Sequence, residues 1–108
     1  MEAEQQRKVL ALVGLGRRAG KVVVGVEQVR AAVHKKRISL AVVAVDASPH
    51  SREKVLPLLA AKGVRWIEGP TAVELGAAVG RSATAAVGIS DVALAKGIHA
   101  AAVAALRS

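Results

Sequence analysis

The sequence predicts an α/β fold, a three-layer α-β-α sandwich in which a four-stranded mixed sheet is covered by about five helices. Two observations predict this fold. Segments with apolar residues at helical spacing alternate along the chain with short β-branched runs, and the connections between them are only a few residues long. The chain has 108 residues, the usual length of one domain, so we expect residues 1–108 to form a single domain.

The first half of the chain is predicted to contain two helices and two strands. In residues 5–18, apolar or small residues recur at intervals of three and four, which predicts an amphipathic helix. The run VVV at residues 22–24 predicts a strand, and a second helix is expected over residues 26–36. Residues 40–45, LAVVAV, are apolar at every position, as expected of a strand that is covered on both faces.

Capping and turn residues bound the third helix. Ser48 can cap a helix and Pro49 suits the first helical turn, so a helix is predicted to begin there and to end at Gly63. Residues 64–67 form the third predicted strand. Asp46, at the end of the preceding strand, is interpreted as a carboxylate that supports the start of a helix rather than as an acid–base catalyst, because no partner for proton transfer is visible.

The last two helices also begin at predicted caps. Thr71 and Glu74 have the spacing of a capping box, in which each side chain bonds a free amide of the first turn. Residues 85–89 form the fourth predicted strand. Ser90 and Asp91 are expected to cap a final, alanine-rich helix that runs nearly to the C terminus.

Small apolar residues dominate the composition. The chain has 23 alanines and 18 valines but only one aromatic residue, Trp66, so helices and sheet must approach each other closely. Since there is no cysteine, a disulfide framework and a thiolate zinc site are excluded. The three histidines are far apart and have no acidic neighbour at ligand spacing, so we predict no catalytic residue, no metal ligand and no cofactor.

The charge predicts a polyanionic partner. Sixteen Lys and Arg against eight Asp and Glu give a net charge of +8, and residues 1–40 carry nine basic and three acidic residues, a net +6. Simple solvation of this charge is the alternative. Because the chain has no Phe or Tyr, it lacks the stacking platforms of many single-strand readers, so a nucleic acid would be held through phosphates, helix N-termini and backbone amides.

The sequence predicts neither a membrane span nor a secretion signal. The longest uncharged apolar run, residues 97–106, is shorter than the ~20 residues that a membrane-spanning helix needs. The first residues, MEAEQQ, are polar and acidic, unlike a signal peptide. We therefore expect a cytoplasmic protein without a membrane partner.

The stretch VGLGRRAGK, at residues 13–21, is not predicted to bind a nucleotide. It fits the letters of the dinucleotide fingerprint, but a helix precedes it and a strand follows, which reverses the order that the fingerprint requires. A phosphate-binding Walker loop is excluded because Gly14 and Gly20 are one residue too far apart. In addition, Val22 replaces the magnesium-binding Ser or Thr.

Four segments carry a family resemblance, and ELGAAVG followed by a small-residue strand is the most specific of them. The segments are VGLGRRAGKVVVG (residues 13–25), GVEQV (25–29), LAVVAVDAS (40–48), and ELGAAVGR (74–81) leading into ATAAVGISD (83–91). Together they resemble the ribosomal L7Ae/L30e family of kink-turn RNA-binding proteins, most closely its small bacterial YlxQ-like branch, over about residues 7–98. The resemblance implies a single RNA-binding domain that grips a sharply bent internal loop of ribosomal or other stable RNA.

The resemblance also implies the residues of the site. In that family a helix beginning Gly-x-Asn-Glu-x-x-Lys reads the sheared G·A pairs of the bend. By position, Gly25 is retained, Glu27 replaces the asparagine, Gln28 the glutamate and Ala31 the lysine. The family's loop before the last strand, which covers a flipped-out nucleotide, and a basic corner beside the helix complete the expected site. The predicted RNA-binding residues are Arg17, Arg18, Lys21, Gly25, Glu27, Gln28, Arg30, Arg81, Ser82, Ala83 and Thr84.

Two functions remain open at this stage. The first is non-catalytic binding of structured RNA in a ribosome-related or RNA-folding role, with the ribosome as an expected partner. The second is a protein-interaction module on the same fold that has lost RNA binding. Arg17, Arg18 and Lys21 are also explained as solvated charges that stabilise the end of a helix dipole.

Overall fold

The computed structural model describes residues 1–104 and confirms the predicted alternation of helices and strands. The end of the last predicted helix, beyond residue 104, lies outside the described residues. The elements are α1 (Ala3–Arg18), β1 (Val22–Val24), α2 (Val26–His34), β2 (Leu40–Val43), α3 (Pro49–Ala61), β3 (Arg65–Glu68), α4 (Ala72–Ala78), β4 (Ala86–Ile89) and α5 (Val92–Val103). No helix among these is long and apolar enough to cross a membrane.

The four strands form one mixed sheet in the order β1-β4-β2-β3. β4 pairs antiparallel with both β1 and β2, so that Gly88 lies between Val23 and Ala41. β2 and β3 pair in parallel, with Leu40 beside Arg65. β1 and β3 are therefore the two edge strands.

Helices cover both faces of the sheet, as the predicted sandwich requires. α1, α4 and α5 pack on one face and α2 and α3 on the other. Strand β2 shows the division, because Leu40 and Val42 belong to the first core cluster and Ala41 and Val43 to the second, all four being buried. Successive residues of a strand point to opposite faces, so a strand buried on both sides is apolar throughout.

The predicted caps are confirmed at three helices. The Ser51 amide donates to the Ser48 hydroxyl at 3.1 Å, and the Leu94 amide donates to the Asp91 carboxylate at 2.8 Å. The capping box at the start of α4 is complete: the Glu74 amide donates to the Thr71 hydroxyl (3.2 Å) and the Thr71 amide to the Glu74 carboxylate (3.0 Å).

Asp46 supports a helix start, as predicted, but the helix is α4 rather than the nearer α3. Its carboxylate accepts a hydrogen bond from the Ala72 amide at 2.8 Å. The first four amides of a helix lack partners within the helix. Asp46 supplies a partner for the Ala72 amide, which the capping box does not reach. The contact also ties the C-terminal end of β2 to the start of α4.

The predicted end of the second strand and the predicted cap at Ser90 were wrong. The second strand ends at Val43 instead of residue 45: the Val45 amide donates to the Pro70 carbonyl (2.9 Å) and the Val45 side chain is 60% exposed. Ser90 does not cap α5, since its hydroxyl donates to the Lys21 carbonyl at 3.1 Å. Hydropathy alone could not predict either contact, because both partners are distant in sequence.

Candidate nucleic-acid interface

A groove of about 250 Å³ runs along the outer edge of β1, and we call it the β1 groove. Because β1 pairs only with β4, its other edge is open. The groove is lined by Arg17, Val22, Val23, Val24, Gln28 and Arg81. Three predicted RNA-binding residues, Arg17, Gln28 and Arg81, therefore come together from three separate segments of the chain.

Glycines at the two ends of β1 position the first two of these side chains. Arg17 lies in the last turn of α1, after which Gly20 adopts a φ of 74° and the chain turns into β1. Gly25 follows β1 with a φ of 98° and is the N-cap residue of α2, which places Gln28 in the first turn of that helix. An L-residue at Gly25 would be strained although the space beside it is open.

Arg81 is positioned by close contact between its loop and α4. A β-carbon at Gly76 would lie 2.6 to 3.0 Å from backbone atoms of Ala83, so only glycine lets the loop approach this closely. The Arg81 amide donates to the Gly76 carbonyl at 2.7 Å, and the Thr84 amide donates to the Ala72 carbonyl at 3.0 Å. These bonds hold residues 81–84 against the helix.

The loop residues differ in exposure. The side chains of Arg81, Ser82 and Ala83 are exposed and face solvent. Thr84 is buried, and its hydroxyl donates to the Ala86 carbonyl at 3.2 Å. Of the four predicted loop residues, the first three can therefore present side chains to a ligand, and Thr84 supports the loop from within.

Glu27 is directed toward α3 and does not line the β1 groove. Its carboxylate accepts a hydrogen bond from the Lys54 ammonium at 2.9 Å and lies 3.9 Å from the Arg30 guanidinium. The hydrogen bond and charge of Lys54, with smaller contributions from Arg30 and His50, hold the pKa of Glu27 below its ordinary value. The negative charge at this position is thus compensated within the protein.

The remaining predicted cations do not line the groove. Arg30 donates a hydrogen bond to the Lys54 carbonyl, so it ties α2 to α3. Lys21 precedes β1 and lies 3.7 Å from Asp91 at the start of α5. Arg18 is exposed in the last turn of α1. The predicted basic corner is consequently divided: Arg17 faces the groove and Lys21 pairs with a carboxylate.

Two residues important for this geometry were missed by sequence reasoning. Lys54 is 27 residues from Glu27, and nothing in the local sequence links them. Gly76 does carry a signal, since a glycine inside a helix usually has a packing reason.

The chemistry of the β1 groove suits a phosphate-bearing ligand. Its lining offers two guanidinium groups, which bind phosphate oxygens through paired hydrogen bonds, and the Gln28 amide, which can both donate to and accept from a base edge. No Asp or Glu lines it. Within residues 1–104, no group of three His, Asp or Glu side chains is arranged to hold a metal ion.

Comparisons with known proteins identify the family of this chain. Residues 7–98 match the sequence model of the ribosomal protein L7Ae/L30e/S12e/Gadd45 family. Searches against curated protein sequences find no significant match.

Two solved structures share the fold over most of their length. A protein of unknown function from Bacillus halodurans superposes with a TM-score of 0.83 at 27% identity, covering 88% of this chain and 96% of the other. A 15.5 kD RNA-binding protein from Giardia lamblia superposes with a TM-score of 0.78 at 24% identity, covering 94% of this chain and 88% of the other.

Proposed function

Because this chain belongs to the ribosomal protein L7Ae/L30e/S12e/Gadd45 family, we propose that it binds structured RNA and catalyses no reaction. The observation that carries the proposal is the β1 groove, in which Arg17, Gln28 and Arg81 converge without an acidic neighbour. The similarity in fold to the Giardia RNA-binding protein supports it. In this function the two arginines bind phosphates and position the RNA, and Gln28 contacts a base.

We further propose that the preferred RNA is a kink-turn or a similarly bent internal loop. Arg81, in the exposed loop with Ser82 and Ala83, lines the β1 groove together with Gln28 of the first turn of α2, where a sharp bend would bring two RNA segments together. The ion pair with Lys54 supports this proposal, because it removes much of the repulsion that Glu27 would exert on phosphates.

The cellular setting that we propose is the cytoplasm, in association with the ribosome or another stable RNA particle. The family name and the excess of basic residues, +8 over the whole chain, support this setting. We assign the chain to the YlxQ-like branch on the segments quoted above.

The test compares two variants that each lose two positive charges. Arg17→Ala/Arg81→Ala removes the cations of the β1 groove, and Arg7→Ala/Lys8→Ala removes two exposed cations of α1 that do not line it. Binding to a kink-turn hairpin RNA is measured over a range of salt concentrations. We expect the groove variant to bind more weakly and its salt slope to fall by about 0.7–0.9 for each lost phosphate contact, with a smaller change in the control.

Equal behaviour of the two variants would contradict the assignment of the groove. If the unchanged protein binds neither this hairpin nor total cellular RNA, the RNA-binding function itself is wrong. The protein-interaction module on the same fold is then the better interpretation.

A further inference from the structure

Three more grooves follow one after another from the β1 groove, and each is lined by basic residues. The first, of about 290 Å³, shares Gln28 with the β1 groove and is lined by Lys35 and Arg37. The second, of about 430 Å³, shares Ile38 with the first and adds Lys36, Lys62 and Arg65. The third, of about 480 Å³, shares Arg65 with the second and adds Lys96.

Because each groove shares lining residues with the next, the four grooves form one series of neighbouring depressions on the surface. It passes from the edge strand β1, around the C-terminal end of α2, to the start of the opposite edge strand β3 and on to α5. We call the part beyond the β1 groove the basic track, and define it by Lys35, Lys36, Arg37, Lys62, Arg65 and Lys96.

The charge of the basic track is uncompensated. No Asp or Glu lines any of the three grooves. All six basic side chains are exposed, and none forms an ion pair with another residue of the described part of the chain. Lys21, Arg30, Arg52 and Lys54, by contrast, each lie within 4 Å of a carboxylate.

Lys36 provides an independent reason to assign a binding role to this surface. It follows the C-terminal end of α2 with a φ of 58°, in the left-handed region that glycine adopts at little cost and lysine does not. At this position lysine costs backbone strain that glycine would not, and its exposed side chain adds a positive charge to the surface.

We propose that the basic track binds the RNA strand that leaves the β1 groove, so that the protein contacts RNA on both edges of its sheet. This inference rests on the proposed RNA-binding function and extends it. Cations spread along a series of neighbouring grooves suit a chain of phosphates better than a single small anion. Because the track turns around the sheet, a flexible single strand follows it and a stiff duplex does not. Its lining has no Phe, Tyr or Trp, so the contact is chiefly with the backbone and largely independent of sequence.

The experiment compares two RNAs that differ only in their single-stranded ends. One is a minimal kink-turn hairpin, and the other is the same hairpin with a single-stranded extension at each end. Each extension has about ten nucleotides, which at about 3.4 Å each are enough to cross the longest dimension of the protein, 34 Å. We expect the unchanged protein to bind the extended RNA more tightly and with a steeper salt slope than the minimal hairpin.

Variants then locate the added contact. Lys62→Gln/Lys96→Gln removes two of the six cations of the track and should lose a corresponding part of the gain from the extension while binding the minimal hairpin as before, and Arg7→Gln/Lys8→Gln should retain the gain. Lys36→Gly should unfold at the same or a higher denaturant concentration than the unchanged protein and still bind the extended RNA more weakly. A loss of binding together with a gain of stability is not expected of a purely structural residue.

The outcomes separate this inference from the proposed function. If the minimal hairpin binds but the extension adds nothing, or if the Lys62→Gln/Lys96→Gln protein keeps the full gain, the basic track is not an RNA surface and the β1 groove assignment stands. If the unchanged protein binds neither RNA, the RNA-binding function fails and this inference fails with it.

Discussion

Glu27 and Lys54 show how a carboxylate beside the candidate site is balanced by a residue distant in sequence. Glu27 lies in the first turn of α2, where a carboxylate also interacts favourably with the helix dipole. Lys54, from α3, supplies the ammonium that pairs with it and lowers its pKa. The negative charge beside the β1 groove is thereby balanced within the protein, as the proposed anionic ligand requires.

The ion pair with Lys54 predicts a lowered pKa for Glu27. We expect the pKa of Glu27 to lie below 4.5 in the folded protein and to move back toward that value in Lys54→Met. Since the folded pKa is depressed, the stabilisation from this pair is present at neutral pH and is lost as the pH falls through the folded pKa. The measurement is an NMR titration of the Glu27 side-chain carboxyl carbon, with Glu53 as the control because it takes part in no ion pair among residues 1–104.

The positions of Glu27 and Ala31 predict a gain of affinity. Both side chains are exposed on α2, so the fold should tolerate Glu27→Asn/Ala31→Lys. We expect the double variant to bind a kink-turn RNA more tightly by about 1–3 kcal/mol, the range for one good base contact. Ala11→Lys, at an exposed position of α1, controls for the added charge alone. Equal, tight binding by the unchanged protein and the double variant would mean that the RNA already accommodates Glu27.

Single glycines set how closely helices and loops approach each other. Gly16 allows α1 to pack against Leu94 of α5, and Gly76 allows the loop at Ala83 to pack against α4. In a core made largely of alanine and valine, such contacts replace the interlocking of large side chains.

Gly76 and Gly97 predict opposite effects of the same change. A β-carbon at Gly76 would overlap the backbone of Ala83, so Gly76→Ala should destabilise the protein by about 1–3 kcal/mol. At Gly97 in α5 the nearest atom, Leu12 Cδ1, would be 3.8 Å away, so Gly97→Ala should stabilise the helix by up to about 1 kcal/mol. Chemical denaturation of the two variants measures both, and destabilisation of similar size in the two would contradict the proposed role of Gly76.

Local signals predicted the elements well, and long-range contacts account for what they missed. The cap at Ser48 and the capping box at Thr71 and Glu74 are formed by residues three apart, so the sequence contains the whole interaction. The end of β2 is set by the bond from Val45 to Pro70, 25 residues away, and no periodicity reveals it. Contacts between residues so far apart in sequence depend on how the elements pack in the fold.

The same distinction applies to the candidate site. Arg17, Gln28 and Arg81 were predicted from family positions, and the fold brings them into one groove. The contacts of Arg30 with the Lys54 carbonyl and of Lys54 with Glu27 could not be predicted from the sequence, because they depend on how α2 packs against α3. The basic track is likewise invisible in the sequence, since its lysines and arginines come from three separate segments.

For the whole molecule, charge opposes folding. The net charge is +8, and only four ion pairs form among residues 1–104. We expect the melting temperature to rise as salt increases from about 0.01 M to about 0.15 M, because the screening length falls from about 30 Å to about 8 Å. The measurement is thermal unfolding followed by circular dichroism, without RNA.

A variant of lower charge tests the cause. Arg7→Gln/Lys8→Gln reduces the repulsion and should show a weaker dependence of the melting temperature on salt, with a change in stability within about 0.5 kcal/mol. A melting temperature that falls with added salt would show that attractive pairs outweigh the repulsion.

The arrangement of the edge strands bears on how this valine-rich chain avoids aggregation. An open strand edge presents unpaired amides and carbonyls to which another chain can add. Here β3 has only four residues and carries the charged side chains Arg65 and Glu68 at its two ends, and β1 has only three. Edges this short, one charged and the other beside a basic groove, are poor templates for intermolecular β-pairing, so the sheet can remain open at both sides without growing from one molecule into the next.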